Sequence, residues 1–445
     1  MRSIINNNSK NLNGLNSREL ATDILMDIIE MQSNPDQSLE KFLKQDKYKS
    51  LLREDLAFCK IIMMTTLRRW GHIEIILSRY LKDSIEKHSR RIHIILFISI
   101  CQIVYLNNAA YAVVNIAINL TKRDRKSSKL SGLVNAVLRK ISNEKDSIKT
   151  EEMDSLDLLP EWMQIKWSQV YSIEELDQIS KTLLFDPPLD LSAKNSNQKI
   201  AEDLGGSLLS TGSIRLNNYS YIPSIKYYDE GLWWVQDISA SIPIKLVEDN
   251  LKGKLFVDLC AAPGGKTANL LAKGAVVTAV DKSLNRLEIL KDNLNRLNYK
   301  ATIIHADGTK WQPKNKVDGV LIDAPCSSTG VIRRNPDILL KEIGNIDYFT
   351  QNQINLLNNG INMLRKGGVL IYCTCSLEPE EGENQINKIL KDREDIHIRE
   401  INAEKIPEFK KCIKKEGFMR ILPGVIADGG NDGFFISILE KKIIV

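Results

Sequence analysis

The 445-residue chain has no apolar run long enough to cross a bilayer. Its longest, residues 92–106, is interrupted by His93, Ser99 and Gln102 and reads as a buried core helix. Near Met1 there is no sustained apolar segment of the kind that directs secretion, so a cytoplasmic protein with no membrane partner is expected. Cysteine is scarce: seven residues, an odd number scattered over the chain, argue against a disulfide framework and fit a reducing compartment. No internal repeat or long low-complexity stretch stands out. Charge of one sign is not in large excess either. A net charge of +5 with 26% charged residues is mildly basic, which suits a nucleic-acid partner without demonstrating one. What is present, 43% hydrophobic residues over this length, is enough for more than one core in two or three domains. A monomer is expected.

Glycine and proline are almost missing from the first third, where little therefore breaks a helix. Residues 1–15, rich in Asn and Ser, read as a frayed tail. From Ser17 onward Leu20, Ala21, Ile24, Leu25, Ile28 and Ile29 recur at helical spacing, and similar stripes follow over residues 56–67, 75–81, 92–106, 112–120 and 130–141. An all-helical bundle over residues 1–145 is expected. Residues 142–158 are charged and poorly periodic, as in a linker. A small α+β connecting segment is expected over residues 146–241, with a helix near Trp162 and short apolar pieces that suit strands.

Beyond Leu255 the pattern alternates short apolar runs with helical stretches. The runs fall at residues 254–259, 275–280, 301–304, 317–322 and 369–372, which predicts a parallel, doubly wound α/β sheet over residues 242–445. Ligands of such sheets lie beyond the carboxyl ends of the strands. There the first run meets Cys260, Ala261, Ala262, Pro263, Gly264, Gly265 and Lys266, a tight turn entering a helix, where free backbone amides suit an anionic group. One residue separates this segment from a phosphate-binding P-loop, since Cys260 stands where that motif requires Gly, and a nucleotide hydrolase is a competing reading. The second and third runs favour a nucleoside cofactor instead. Asp281 is placed to accept both hydroxyls of a ribose, and Asp307 to accept from an adenine amino group. S-adenosylmethionine would supply both, with a carboxylate for the turn. A lone aspartate at such a place is more often a helix cap or turn residue.

Two further strand ends carry Asp323-Ala-Pro-Cys326 and Cys373-Thr-Cys375. A thiolate that adds to carbon 6 of cytosine makes carbon 5 nucleophilic, provided ring nitrogen 3 is protonated or hydrogen-bonded, and the carbon 5 proton must then leave before the thiol does. Cys375 as nucleophile, Asp323 as acid partner and Cys326 as base fit those needs. Methylation of exocyclic amines typically uses an Asn/Asp-Pro-Pro-Tyr/Phe turn, whereas Pro325 is followed by cysteine. Cys59, Cys101 and Cys412 read as small buried hydrophobes, and Cys373 is given no role. Four thiolates near the strand ends could hold zinc, but no Cys-x-x-Cys pair occurs and a metal would consume the nucleophile, so no metal is expected.

The segments 258–267, 323–337 and 374–376, with Glu380, Glu381 and Asn384 following, and Asp432-Gly-Phe-Phe435 resemble the RNA cytosine-C5 methyltransferases, and most closely their bacterial RsmB/Sun/Fmu type, which modifies small-subunit ribosomal RNA. Residues 110–115 and 132–139 are similar to the NusB-like RNA-binding domain of those enzymes. The resemblance implies that Cys375 is the nucleophile, that Cys326 assists release, and that Asp323 serves both the base and the cofactor. It implies S-adenosylmethionine as cofactor, held by residues 260–266, Asp281 and Asp307. Arg333 and Arg334, after the catalytic loop, and the cluster Lys122, Arg123, Arg125 and Lys126 are candidate phosphate contacts for the RNA. Leu189-Asp-Leu-Ser-Ala-Lys194 departs from the Leu-Arg-Val-Asn-like strand usual in the family.

Overall fold

The computed structural model describes residues 2–81, 85–87, 89–194, 197–219, 221–341, 346–426 and 428–443, with side chains from Gly14 onward. The chain divides into two units. One runs to Leu184 and takes in a return segment from Asn335, and the other begins at Phe185.

The first unit is helical throughout: α1 Arg2–Met31, α2 Pro35–Leu43, α3 Arg53–Arg68, α4 Trp70–Ser78, α5 Arg90–Ile100, α6 Ala110–Arg123, α7 Ser131–Thr150, α8 Glu161–Trp167 and α9 Ile173–Lys181. Helix α5 is the axle of this unit, because every residue from Ile92 to Ile100 is buried. Ile94 and Ile98 pack with Leu20, Ile24 and Leu25 of α1 and Ile62 and Leu67 of α3. Ile92, Leu96 and Ile100 pack with Val113 and Ala117 of α6 and Val134, Leu138 and Ile141 of α7. A helix apolar on all sides has to lie between others, which is how the run at 92–106 avoids being a membrane segment.

Two expectations need correction here. The supposed tail is helical from Arg2, since a helix once nucleated by the stripe at Leu20–Ile28 extends cheaply through residues that contain no proline. The supposed linker is helical to Thr150, where buried Ile148 anchors the last turns of α7 and Arg79 pairs with Glu151 at 2.6 Å.

In the second unit a four-stranded antiparallel sheet, in the order β2-β3-β1-β4, is built from β1 Leu189–Ala193, β2 Ser207–Leu208, β3 Ile214–Leu216 and β4 Trp233–Val235. The departing segment at 189–194 is therefore a real strand, and Asp190 is buried against Arg215 directly across from it at 2.7 Å. Helix α10 Asn197–Leu204 packs on this sheet, and α11 Ile238–Lys245 leads out of it.

The larger sheet holds β5 Leu255–Leu259, β6 Val276–Asp281, β7 Thr302–His305, β8 Val317–Asp323 and β9 Leu364–Thr374, all parallel, in the order β9-β8-β5-β6-β7. Helices α12 Gly265–Ala272, α13 Leu284–Arg296, α14 Ile346–Met363 and α15 Glu383–Asp392 alternate with them. The five apolar runs read from the sequence are these five strands. Unread were β10 Ile396–Ile398, β11 Met419–Ile421 and β12 Phe434–Lys441. Strand β12 enters antiparallel between β9 and β10, with Phe435 opposite Thr374. In the parallel pair β8–β9, Asp323 lies opposite Cys373, so the fourth and fifth strands end side by side.

Candidate active site

That register brings the two predicted cysteines together. Cys326 follows the end of β8 and Cys375 the end of β9, and their sulfurs lie 3.6 Å apart. Ser328, held in the left-handed region at φ 60°, turns its hydroxyl to within 3.6 Å of the Cys375 sulfur. The two loops touch through backbone. Gly330 N donates to Cys375 O at 2.9 Å, and Gly433 N donates to Gly330 O at 2.7 Å. A side chain at position 330 would put its Cβ 2.4 Å from Gly433 O and 2.8 Å from Cys375 O, so only glycine allows this approach.

The pair is electrostatically asymmetric. The hydrogen bond from the Cys326 thiol, aided by Ser328 and Lys266, holds Cys375 below its ordinary value against the opposing effects of burial and Asp323. That same bond, with burial and the charges of Cys375 and Glu381, pushes Cys326 well above its own. Of the two sulfurs Cys375 is therefore the one that ionises more readily, with Cys326 as the donor to it, and the thiolate is the nucleophilic form. Cys373 is fully buried and pushed well up by burial and by Asp323, so it stays a thiol. A test follows from this asymmetry. Alkylation of Cys375 by iodoacetamide is expected to show a pH midpoint below the ordinary thiol value, and Cys326→Ala, by removing the donor, to move it upward; an unmoved midpoint would break the assignment of donor and acceptor.

Asp323 carries an ion pair: Lys266 Nζ sits 2.7 Å from its Oδ2, over the Phe434 ring with 5.0 Å to the centroid. Burial opposes the lysine's charge, but Asp323 keeps it firmly protonated. Lys266, named from sequence only among the cofactor residues, thus points toward Asp323 at the cysteine pair.

Of the remaining cofactor candidates, Cys260, Asp281 and Asp307 line a cleft across the ends of β5 to β8, while Ala261, Ala262, Pro263, Gly264 and Gly265 form the turn from β5 into α12 and are not in its lining. Gly264, at φ 104°, turns the chain into α12, and Cys260 takes a positive φ of 63°, a backbone shape that its side chain merely tolerates. Burial pushes the Cys260 thiol up, which makes it a poor nucleophile. Asp281 is buried, its two carboxylate oxygens accepting from Ala262 N at 3.2 Å and Ser283 N at 3.0 Å. Each oxygen retains acceptor capacity, which fits the two hydroxyls of a ribose. Asp307, its Oδ1 held by the amide and hydroxyl of Thr309, lines the same cleft with Cys260, Asp281 and Pro325. Arg286 and Asn352 also line it and were not anticipated, because an isolated Arg or Asn on a helix gives no sequence signal. These residues fit S-adenosylmethionine. Deeper in, Asp258 accepts from Thr267 at 2.6 Å, and burial pushes its carboxyl up to about 7.

The candidate RNA residues fare differently. Arg333 is buried, and its guanidinium is used on Asp432 Oδ1 and Asp237 Oδ2, both at 2.6 Å, and on Gly429 O at 2.8 Å. Arg334 is bonded to the same two aspartates and to Pro188 O. Both guanidiniums are engaged within the protein and tie the loop after Cys326 to Asp237 and Asp432, with Arg334 left partly exposed. Lys122, Arg123, Arg125 and Lys126 are exposed at the end of α6 and in the turn after it, with Arg123 engaged by Glu19 at 2.6 Å. Among the described residues no three His, Cys, Asp or Glu side chains group as a metal site.

Comparison with known proteins agrees with this geometry. Residues 246–440 match the family 16S rRNA methyltransferase RsmB/F, and residues 15–143 match the NusB family. A ribosomal RNA small subunit methyltransferase B from Photorhabdus laumondii is 32% identical over 419 residues, which cover 89% of this chain and 91% of that protein. Its counterpart from Klebsiella pneumoniae is 29% identical, with 96% and 99% covered. Among solved structures, that of PH0851 matches with a TM-score of 0.70 at 20% identity, covering 97% of this chain and 99% of the other, and so shares the fold. The nucleotide-hydrolase reading of the glycine turn is thereby set aside, and the chain belongs to the RsmB/F family of 16S rRNA methyltransferases, with a NusB-family domain at its amino end.

Proposed function

We propose that the protein methylates carbon 5 of a cytosine in small-subunit ribosomal RNA through a covalent cysteine adduct. The observation that carries this reading is the sulfur pair, 3.6 Å apart, beside Asp323 and its partner Lys266. S-adenosylmethionine supplies an electrophilic methyl group. The Cys375 thiolate adds to carbon 6, forming the S–C6 bond while the electrons of the C5–C6 double bond move toward carbon 5. Asp323, once protonated, donates to the base at ring nitrogen 3, which stabilises the charge that develops there. Carbon 5 takes the methyl group as the donor's sulfonium–methyl bond breaks and leaves a neutral thioether; the carbon 5 proton is then lost to solvent, its bonding pair re-forms the C5–C6 double bond, and the S–C6 pair returns to sulfur. Cys326 assists that last stage from contact distance.

The target base has to leave its stack to reach Cys375. RNA phosphates are assigned to the exposed Lys122, Arg125 and Lys126, with Arg123 beside them. The protein is taken to act in the cytoplasm as a monomer. To test the reaction, the purified protein is incubated with small-subunit ribosomal RNA and methyl-labelled S-adenosylmethionine, and the RNA is digested to nucleosides. Label in 5-methylcytidine is expected; label in any other nucleoside would sink the proposal.

A further inference from the structure

Behind the sulfur pair lies a carboxylate that neither the cofactor nor the base needs to touch. Glu381, in the short helical turn Pro379–Glu381 after β9, is completely buried. Its oxygens accept from Ser327 N at 3.0 and 3.2 Å, from the hydroxyls of Ser327 and Ser376, and from Gln353 Nε2 at 3.1 Å. Each of these partners carries a proton it can donate, which matches the acceptor capacity of a carboxylate. Ser327 directly follows Cys326, and Ser376 directly follows Cys375. The hydroxyl oxygens of these two serines are 3.0 Å apart. The clamp is itself held. Tyr372 Oη donates to Glu381 O at 2.8 Å, and Gln353 Nε2 also reaches Pro325 O at 2.9 Å.

We propose that Glu381 is a positioning residue for the two-cysteine chemistry: its buried carboxylate gathers the residue after each cysteine and so fixes the separation of the two sulfurs. The inference rests on the reading of Cys326 and Cys375 given above. Other stitches between the loops do not pass through Glu381, namely Gly330 N to Cys375 O and Leu377 N to Thr329 Oγ1, both at 2.9 Å. A variant at position 381 therefore keeps the loops adjacent and loses only their common anchor. Glutamine offers one acceptor oxygen where the carboxylate offers two, so it can satisfy the Ser327 amide or both hydroxyls, but not all three together.

The separation is read by phenylarsine oxide, whose arsenic exchanges its oxygen, lost as water with the two thiol protons, for bonds to two sulfurs in contact. Mass spectrometry follows the bridged product, and Cys326→Ser defines the background. Glu381→Ala is expected to slow bridging about ten-fold and to lower kcat by up to about a hundred-fold, with the KM for S-adenosylmethionine little changed. Glu381→Gln is expected to fall between it and the parent. The double variant Ser327→Ala with Ser376→Ala, which keeps Glu381 and removes both hydroxyls, is expected to move bridging the same way; it decides the matter if Glu381→Ala does not fold. Bridging at the parental rate in a folded variant overturns the proposal. Since bridging requires neither RNA nor cofactor, label found outside 5-methylcytidine would defeat the reaction assignment while leaving this one standing.

Discussion

Cys375→Ser is expected to abolish methyl transfer and the covalent RNA complex together, whereas Cys326→Ala is expected to let the complex form and then hold it. The reasons differ for the two sulfurs. Serine keeps the size and the hydrogen bond of Cys375, but its hydroxyl is not ionised by a neighbouring thiol, so the loss falls on nucleophilicity and amounts to at least about a thousand-fold. Cys326 is not needed to make the S–C6 bond, and its thiol faces Cys375 at 3.6 Å, where it can help the sulfur leave. Without it the adduct has a way in and a hindered way out. Labelled small-subunit RNA on a denaturing protein gel reads both outcomes, as a shifted band for Cys326→Ala and none for Cys375→Ser. The opposite pattern would exchange the two roles.

Arg333→Ala is expected to cost about 3–5 kcal/mol of stability, the effect of removing one partner from a buried ionic group. Asp237 and Asp432 would be left buried with only Arg334 to share, and Arg334 is a quarter exposed. The loss extends beyond charge, because Asp237 also caps α11 through Ser239 N at 2.9 Å and accepts from Asp432 N. Three distant segments depend on that knot: the loop after Cys326, the start of α11 and the approach to β12. Urea unfolding of the two proteins measures the cost. A variant of parental stability that had lost RNA affinity would instead return Arg333 to the RNA surface.

The arginines show where sequence reading ended. Two adjacent cations after a catalytic loop look like phosphate contacts, since the chain does not reveal carboxylates almost a hundred residues away in either direction. Strands β5, β6, β8 and β9 were legible because strands largely buried on both faces are written as apolar runs, whereas the edge strand β7 has no buried residue and showed through its β-branched Thr302, Ile303 and Ile304. Residues 434–439 form such a run too, yet a strand that arrives last and antiparallel has no βαβ rhythm to announce it. Local chemistry carried the site better than architecture did. Cys326, Cys375 and Asp323 were found from the ends of their strands, and the register of β8 on β9 brought them together. Glu381 was visible only as part of a motif, because its function depends on two serines from different loops. The charged stretch at 142–150 misled for a simpler reason. Ser, Glu and Lys are tolerated on a solvated helix face, and one buried isoleucine outweighed them.

The placement of β12 bears on how the molecule is made. Of the strands described, it is the last to leave the ribosome, yet it belongs in the interior of the sheet, beside the strand that leads into Cys375. Until it emerges, the growing protein carries β9 as an open edge, a template for mispairing with other nascent chains. Cys375 stands just past the tip of that edge, so the sulfur pair gains its final surroundings only when translation has passed the strand that closes the gap.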